Sequence, residues 1–410
     1  MCGIIGIVSR PPTRPVPAPD EVLGLLDRAR DAADDLESVA RHVAAANDAL
    51  LGLAGLLLLA DRYELVADIV TRLDEIDARC LARELELERG DIGVDELERV
   101  GAQIIAVRDA TWSIREDRLR TARQVAALAG REASIGALAG YLSIQQALSA
   151  IDRLEVRGRD SAGIHVFVWD HGLSADDPGL AAAAATRGRD PLFPSEAIRL
   201  VDGCLSFVYK AAAEIGELGD NTRVMRAAIA DDSLLRRALS APGVQVAVLG
   251  HTRWASVGII SEPNAHPINS EELELSGGEQ PPYVVAALNG DVDNHADLRV
   301  EHGLAIHGQI TTDAKVIPAL VAREMSTGHD LVEAFRRTVA QFDGSVAIAA
   351  ASASEPGTLL LALRGSGQGL FVGFGDDRYL AASEPYGVVE ETDRYLRVDG
   401  ESGGEIVVLR

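Results

Sequence analysis

The chain has 410 residues, 47% of them hydrophobic and 25% charged, a globular composition long enough for two domains or for one domain carrying a large insertion. Its 39 basic against 63 acidic residues leave a formal charge of −24, which repels phosphate backbones and anionic membrane surfaces and argues against nucleic-acid and membrane partners. Three cysteines, Cys2, Cys80 and Cys204, are too few and too scattered for a disulfide framework or a zinc site.

The first element is Cys2–Val8, "CGIIGIV", a short apolar run that predicts a buried strand. Prolines 11, 12, 15, 17 and 19 follow at once as a linker, not as the cleavage site of a secretory signal, and predict a cytoplasmic protein. From Asp20 to about Gly130 apolar residues recur at helical spacing, as in Val22, Leu25, Leu26, Ala29 and Ala33, predicting amphipathic helices with breaks near Gly90 and Gly130. Within this block the run Leu50–Ala60, "LLGLAGLLLLA", falls short of the about 20 residues a membrane span needs and reads as a buried helix. The block carries no chemistry-bearing cluster.

One more helix is predicted over Tyr141–Leu154, and the texture then changes to strands at Gly163–Val168, Leu205–Tyr209, Val244–Leu249, Val284–Leu288, Val346–Ala351 and Leu359–Leu363. Helices are predicted near Asn221–Leu239 and Ala314–Glu324, and Ser174–Pro194 reads as an exposed loop. The pattern implies an α+β layer architecture, sheets covered by helices.

Five stretches hold the residues suited to chemistry. If Met1 is removed, as a small second residue favours, Cys2 carries both a thiol and a free α-amine, and the amine can serve as base for its own nucleophile. Taken singly, a cysteine beside a short apolar strand is more often a buried small hydrophobe. Arg157–Gly163, "RGRDSAG", turns from helix to strand, and its Arg157 and Asp160 would ordinarily be a solvent-exposed turn. The stretch "LGHTRWASVGIISEPNAHP" sets His251, Arg253, Trp254, Ser256, Asn264 and His266 just after an apolar strand, as a binding loop does. In it Arg253 offers a planar fork for a carboxylate. Asn289-Gly290 is a common tight-turn pair, yet a side-chain amide beside a glycine N–H also makes an oxyanion hole. Thr312-Asp313 would ordinarily cap a helix, although the carboxylate could also hold an ammonium group.

In this order, a cysteine behind Met1, Arg-Gly-x-Asp-Ser-Ala-Gly, His-Thr-Arg-Trp, Asn-Ala-His-Pro, Asn-Gly and Thr-Asp, the sequence resembles the glutaminase domain of class II glutamine amidotransferases. These belong to the N-terminal-nucleophile hydrolases. Trp254, "NAHP" and "NGDVDNHADLR" are most similar to the glutamine–fructose-6-phosphate amidotransferase branch. The resemblance implies a four-layer αββα sandwich formed by residues 2–9 and 141–410, with residues 10–140 as a large all-helical insertion that could dock a partner. It implies Cys2 as nucleophile, Asn289 and Gly290 as oxyanion donors and Arg157 beside the nucleophile. It further implies Arg253 on the α-carboxylate of L-glutamine, Asp313 on its α-ammonium, Ser256 at a hydroxyl-bearing substrate position and Trp254 on a closing loop.

No cofactor and no metal are implied. The ammonia acceptor would be a sugar phosphate held by a sugar-isomerase domain or subunit outside this chain, and self-association is left open. Two departures stand out, Val257 and Leu288, each where the family commonly has histidine. With the insertion they suggest a catalytically silent regulatory or scaffold module as another reading, and a separate rival is an N-terminal-cysteine amide hydrolase that channels nothing, against which Arg253 with Asp313 argues, since that pair reads both ends of an amino acid.

Overall fold

The apolar run behind Cys2 forms a strand, β1 (Gly3–Ser9), buried along all but its last residue. The computed structural model describes residues 2–32, 35–89, 94–174, 176–213, 217–273, 281–401 and 403–410. Its chain divides into two units, residues 11–127, and residues 1–10 with 128–410.

The smaller unit is helical: α1 (Pro19–Asp31), α2 (Leu36–Ala49), α3 (Gly52–Leu59), α4 (Tyr63–Arg89) and α5 (Val94–Trp112), the last continuing through a π-helical stretch, Ser113–Leu119, into α6 (Arg120–Ala129). Apolar spacing explains the packing, since Val22, Leu26 and Ala29 of α1 meet Ile69, Leu73, Ile76 and Cys80 of α4 in one core. Asp35 starts α2 by accepting the Ser38 N–H at 3.1 Å. The apolar run read as a buried helix is α3, with Leu53, Leu56, Leu58 and Leu59 buried. Among the described residues no single helix is long and apolar enough to cross a membrane; α2 and α3 meet that test only as a pair bent by 88°. The break expected near Gly90 lies outside the described residues, and the one near Gly130 follows the end of α6.

The larger unit continues with α7 (Ile135–Leu154), β2 (Ser161–Trp169), α8 (Pro178–Arg187), β3 (Ile198–Val201), β4 (Cys204–Ala211), α9 (Asp220–Asp231), α10 (Ser233–Leu239) and β5 (Gln245–Arg253). Then come β6 (Ile268–Asn269), β7 (Val284–Gly290), α11 (His295–Glu301), α12 (Val316–Ser326), α13 (Leu331–Ala340), β8 (Val346–Ser352) and β9 (Leu359–Arg364). Last are β10 (Phe371–Phe374), β11 (Arg378–Ala382), β12 (Tyr395–Arg397) and β13 (Glu405–Leu409). The strands form two antiparallel sheets, an eight-stranded one in the order β12-β10-β11-β1-β5-β2-β4-β3 and a five-stranded one in the order β13-β9-β8-β7-β6.

The sheets share a core in which Ile4, Phe167, Ala247 and Leu249 of the first pack with Val285, Ala287, Ala347 and Leu361 of the second. On its other face the second sheet buries Leu288, Ile348 and Leu360 against Ile317 and Leu320 of α12 and Phe335 of α13. Helix α7 packs on β1 and β5. Alternation of side chains along each strand explains how one strand feeds both cores. The architecture is α+β with two antiparallel sheets.

Each of the six predicted strands is present and longer than expected. The stretch read as an exposed loop, 174–194, instead contains α8, because the Asp177 carboxylate accepts the Gly179 and Leu180 N–H groups at 2.9 Å and Pro178 opens an alanine-rich run. The helix expected over Asn221–Leu239 is two, α9 and α10, divided at Asp232. This buried carboxylate caps α10 through the Leu234 and Leu235 N–H groups, both at 3.0 Å, accepts the Tyr209 hydroxyl at 2.8 Å and pairs with Arg187.

Burial alone would raise the Asp232 pKa, but the Arg187 ion pair and the Leu235 N–H outweigh it and hold the carboxyl below the usual range. A depressed carboxyl stabilises the fold above the unfolded pKa of about 3.9, and that contribution is lost as pH falls through the folded value. Asp232→Ala should therefore lower unfolding free energy by about 3–5 kcal/mol at neutral pH. Urea titrations from pH 2 to 7 should show its acid limb flatter than that of the wild type.

Candidate active site

Cys2 lies at the entry to β1, whose next residues pair with β5 on one side, Gly3 opposite Thr252, and with β11 on the other, Ile5 opposite Ala382. At Gly3 a Cβ would stand 2.6 Å from Leu154 Cβ and 2.8 Å from Thr252 Cγ2, so only glycine lets the chain enter the sheet directly behind the thiol. Ser383, just past β11, clamps the same entry by accepting the Ile4 N–H at 3.1 Å and donating its own N–H to the Ile4 carbonyl at 3.1 Å. The Cys2 Sγ accepts the Trp254 N–H at 3.2 Å and lies 3.4 Å from the Trp254 carbonyl oxygen.

Asn289 and Gly290 end β7, in the opposite sheet. The Asn289 Nδ2 donates to the Cys2 carbonyl oxygen at 3.0 Å, a contact spanning 287 residues of sequence. Gly290 has φ +87°, and a Cβ there would lie 1.9 Å from the Ser345 carbonyl oxygen, so the position demands glycine; in place of the tight turn expected at Asn-Gly, both residues close β7 opposite Ala347 and Val346 of β8. Cys2, Asn289 and Arg157 line one cavity of about 300 Å³, together with Ser383, Glu384 and Arg397. Arg157 reaches its rim on the turn after α7 and forms an ion pair with Glu384.

The other expected site residues, Arg253, Trp254, Ser256 and Asp313, are not among those lining this cavity. Arg253, only 2% exposed, donates to the carbonyl oxygens of Ile259 at 3.2 Å and of Val257, bracing the loop that it begins. Burial lowers its pKa, while the charges of Cys2 and Asp313 favour the guanidinium. The Trp254 side chain is 59% exposed. Ser256 Oγ donates to Asp291 Oδ1 at 2.5 Å. Asp313 is buried, accepts the Val292 N–H at 2.8 Å, and is held above the usual carboxylate range by burial, against the Val292 hydrogen bond and with help from Asp291. Cys2, Arg253, Asp291 and Asp313 thus share one electrostatic neighbourhood.

Sequence reasoning missed Asp291 and Ser383 and left Asp160 as a solvent-exposed turn. The Asp160 carboxylate accepts the Ala255 N–H at 2.8 Å and its own N–H donates to the Arg253 carbonyl at 3.0 Å, so this turn is a brace for the loop behind Cys2. Asp291 follows Asn289-Gly290 directly, and that adjacency was the available signal; Ser383 gave none. Of the two departures, Leu288 is in the core between the second sheet and its helices, and the Val257 carbonyl accepts a hydrogen bond from Arg253. Among the described residues no group of three or more His, Cys, Asp or Glu side chains is placed to hold a metal ion.

Burial pushes the Cys2 thiol up, opposed by the Trp254 backbone and by the Arg253 charge. Because the thiolate is the reactive form, alkylation of Cys2 by iodoacetamide should rise with a midpoint above about 8.5, and Arg253→Leu should move that midpoint further up. Cys80 and Cys204 are buried and should stay unmodified in the native state, so mass spectrometry resolved by cysteine supplies its own controls.

No family model matches the chain. Among curated proteins it is similar to glutamine–fructose-6-phosphate aminotransferases [isomerizing]. The relative from Methanothermobacter thermautotrophicus is 33% identical over 164 residues, 39% of this chain and 25% of that protein. The relative from Gloeobacter violaceus is 36% identical over 157 residues, 37% of this chain and 24% of that protein. The relative from Bacillus thuringiensis is 27% identical over 276 residues, 66% of this chain and 35% of that protein. The chain therefore spans about a quarter to a third of the length of these relatives. Two solved structures, the allosteric regulatory enzyme of purine biosynthesis and a glutamine phosphoribosylpyrophosphate amidotransferase from B. subtilis, align with TM-scores of 0.39 and 0.38. Each is 18% identical and covers 64% of this chain and 46% of its own, too loose an overlay to bear on the fold. By sequence the chain is similar over part of its length to the glutamine–fructose-6-phosphate aminotransferases.

Proposed function

We propose that this chain is the glutaminase half of an amidotransferase, releasing ammonia from L-glutamine through a Cys2 thioester and supplying it for amino-sugar synthesis. The carrying observation is the Asn289 amide set 3.0 Å from the Cys2 carbonyl oxygen at the wall of the cavity that both residues line. In this reading the fold is a four-layer αββα sandwich built from residues 2–9 and 141–410, interrupted by a helical insertion, 10–140. The acceptor is a sugar phosphate on a sugar-isomerase domain or subunit. The three cysteines are unpaired, which suits the reducing cytoplasm.

The chemistry follows from the residue types. After loss of Met1 the Cys2 α-amine takes the thiol proton, the thiolate attacks the glutamine carboxamide carbon, and a C–S bond forms. Asn289 and Gly290 donate to the resulting oxyanion. The proton passes from the amine to the departing nitrogen, the C–N bond breaks, and ammonia leaves a γ-glutamyl thioester that water cleaves to glutamate. Arg253 would hold the α-carboxylate once glutamine displaces its loop carbonyls, Asp313 would hold the α-ammonium, and Ser256 would join Asp291 beside the substrate. Trp254 would close over the substrate, and Arg157, tied to Glu384, would keep the cavity wall in place.

Intact mass together with a glutaminase assay tests this reading. The wild type should lack Met1 and release glutamate, Cys2→Ala should release none, and Asn289→Ala should lose about 100–1000-fold in kcat. Equal activity of Cys2→Ala and wild type would end the mechanism. Asp313 supplies a pH signature: since burial raises its pKa, KM for glutamine should climb as pH falls through that raised value. Asp313→Asn should raise KM about 10–100-fold at neutral pH and remove the climb, as initial rates from pH 4.5 to 8 would report.

A further inference from the structure

His251 has no role in the chemistry above, yet it is fully buried beside Asn289. It stands on β5, opposite Ile4 of β1 and Gly163 of β2. Its Nε2 lies 2.9 Å from the Leu288 carbonyl oxygen and 3.1 Å from Asn289 Oδ1. The Leu288 carbonyl can only accept, so the proton is on Nε2. At the far end of the same amide the Cys2 carbonyl oxygen, again only an acceptor, faces Asn289 Nδ2 at 3.0 Å. Two acceptor-only carbonyls therefore leave one consistent assignment: the amide oxygen points to the imidazole N–H, and the NH2 edge points to Cys2.

The imidazole is itself held in place. The His266 ring lies against it, centroids 4.5 Å apart and planes 35° from parallel. His266 accepts the Leu288 N–H on Nδ1 at 3.4 Å, so its own proton is on Nε2, 3.1 Å from Thr312 Oγ1. Thr312 Oγ1 lies 3.4 Å from Asp313 Oδ1. Burial, with the Arg253 charge, pushes His251 down to about 3, and burial drives His266 well below its ordinary value, so both rings stay neutral at working pH.

We propose that His251 is a positioning residue, whose Nε2–H locks the Asn289 carboxamide with its NH2 edge toward Cys2 and the reacting carbonyl. A flipped amide would set Oδ1 against the Cys2 carbonyl and the developing oxyanion, turning an attraction into a repulsion. This rests on Asn289 serving as an oxyanion donor, so the experiment separates the two.

Glutaminase kinetics are measured on the wild type, His251→Leu, His251→Gln, Asn289→Ala and the His251→Leu/Asn289→Ala double variant, each checked for folding by thermal melting. His251→Leu should lower kcat about 10–100-fold, less than outright loss of the donor, with KM for glutamine unchanged. His251→Gln, whose amide N–H reaches the same point, should restore most of it. In the Asn289→Ala background His251→Leu should cost nothing further, because its effect acts through that amide. Where leucine prevents folding, His251→Asn, polar but too short to reach Asn289, takes its place in the same cycle. Wild-type kcat in His251→Leu, equal losses in the leucine and glutamine variants, or additive losses in the double variant would each overturn the assignment. A wild type that releases no glutamate, or a fully active Asn289→Ala, would instead overturn the glutaminase reading.

Discussion

The hydrogen bond from Asn289 Nδ2 to the Cys2 carbonyl oxygen joins the ends of two strands that belong to different sheets. Everything at the site depends on it. Its acceptor is the residue that carries the thiol, so the relative placement of the sheets becomes the relative placement of thiol and amide. The core between the sheets fixes that placement over a wide area, from Ile4 and Leu249 to Ala287 and Ala347. Close-packed cores have few alternative arrangements, so a contact at their edge inherits their rigidity.

Around this bridge the molecule surrounds a thiol with opposing influences. Burial disfavours the thiolate, while Arg253 and the Trp254 backbone favour it. The protein as a whole is strongly acidic, yet the Arg253 charge favours the anionic form of Cys2 locally, and Arg157 and Arg397 line the same cavity as the thiol. The loop behind Cys2 is held from three directions: Asp160 on the Ala255 N–H, Arg253 on its own loop carbonyls, and Asp291 on Ser256.

Much of the fold was legible in the sequence because its strands are nearly continuous runs of small and branched apolar residues, as in Val284–Leu288 and Val346–Ala351. The short strands β3, β6 and β10 to β13, of two to five residues each, were not foreseen. Helix α8 was hidden by alanine, glycine and proline, since composition resembled a loop while the Asp177 cap and Pro178 marked a helix start. At the site, Asn289-Gly290 stood out as a turn pair, but the same letters could not reveal that His251 sits behind the amide or that Leu288 faces the helices.

Sequence by itself determined the chemical inventory and its order: a cysteine behind the first methionine, an arginine fork, an Asn-Gly pair and a carboxylate at a helix start. These are local properties, carried by side-chain type and short-range backbone preference. Only the tertiary structure decided which of them meet. Cys2 and Asn289 are 287 residues apart, and no local preference brings them together; face-to-face packing of two sheets does. That packing also selects which edge of the Asn289 amide faces the Cys2 carbonyl, because that carbonyl at one end and the His251 N–H, fixed by the Leu288 carbonyl, at the other leave a single arrangement of donors and acceptors.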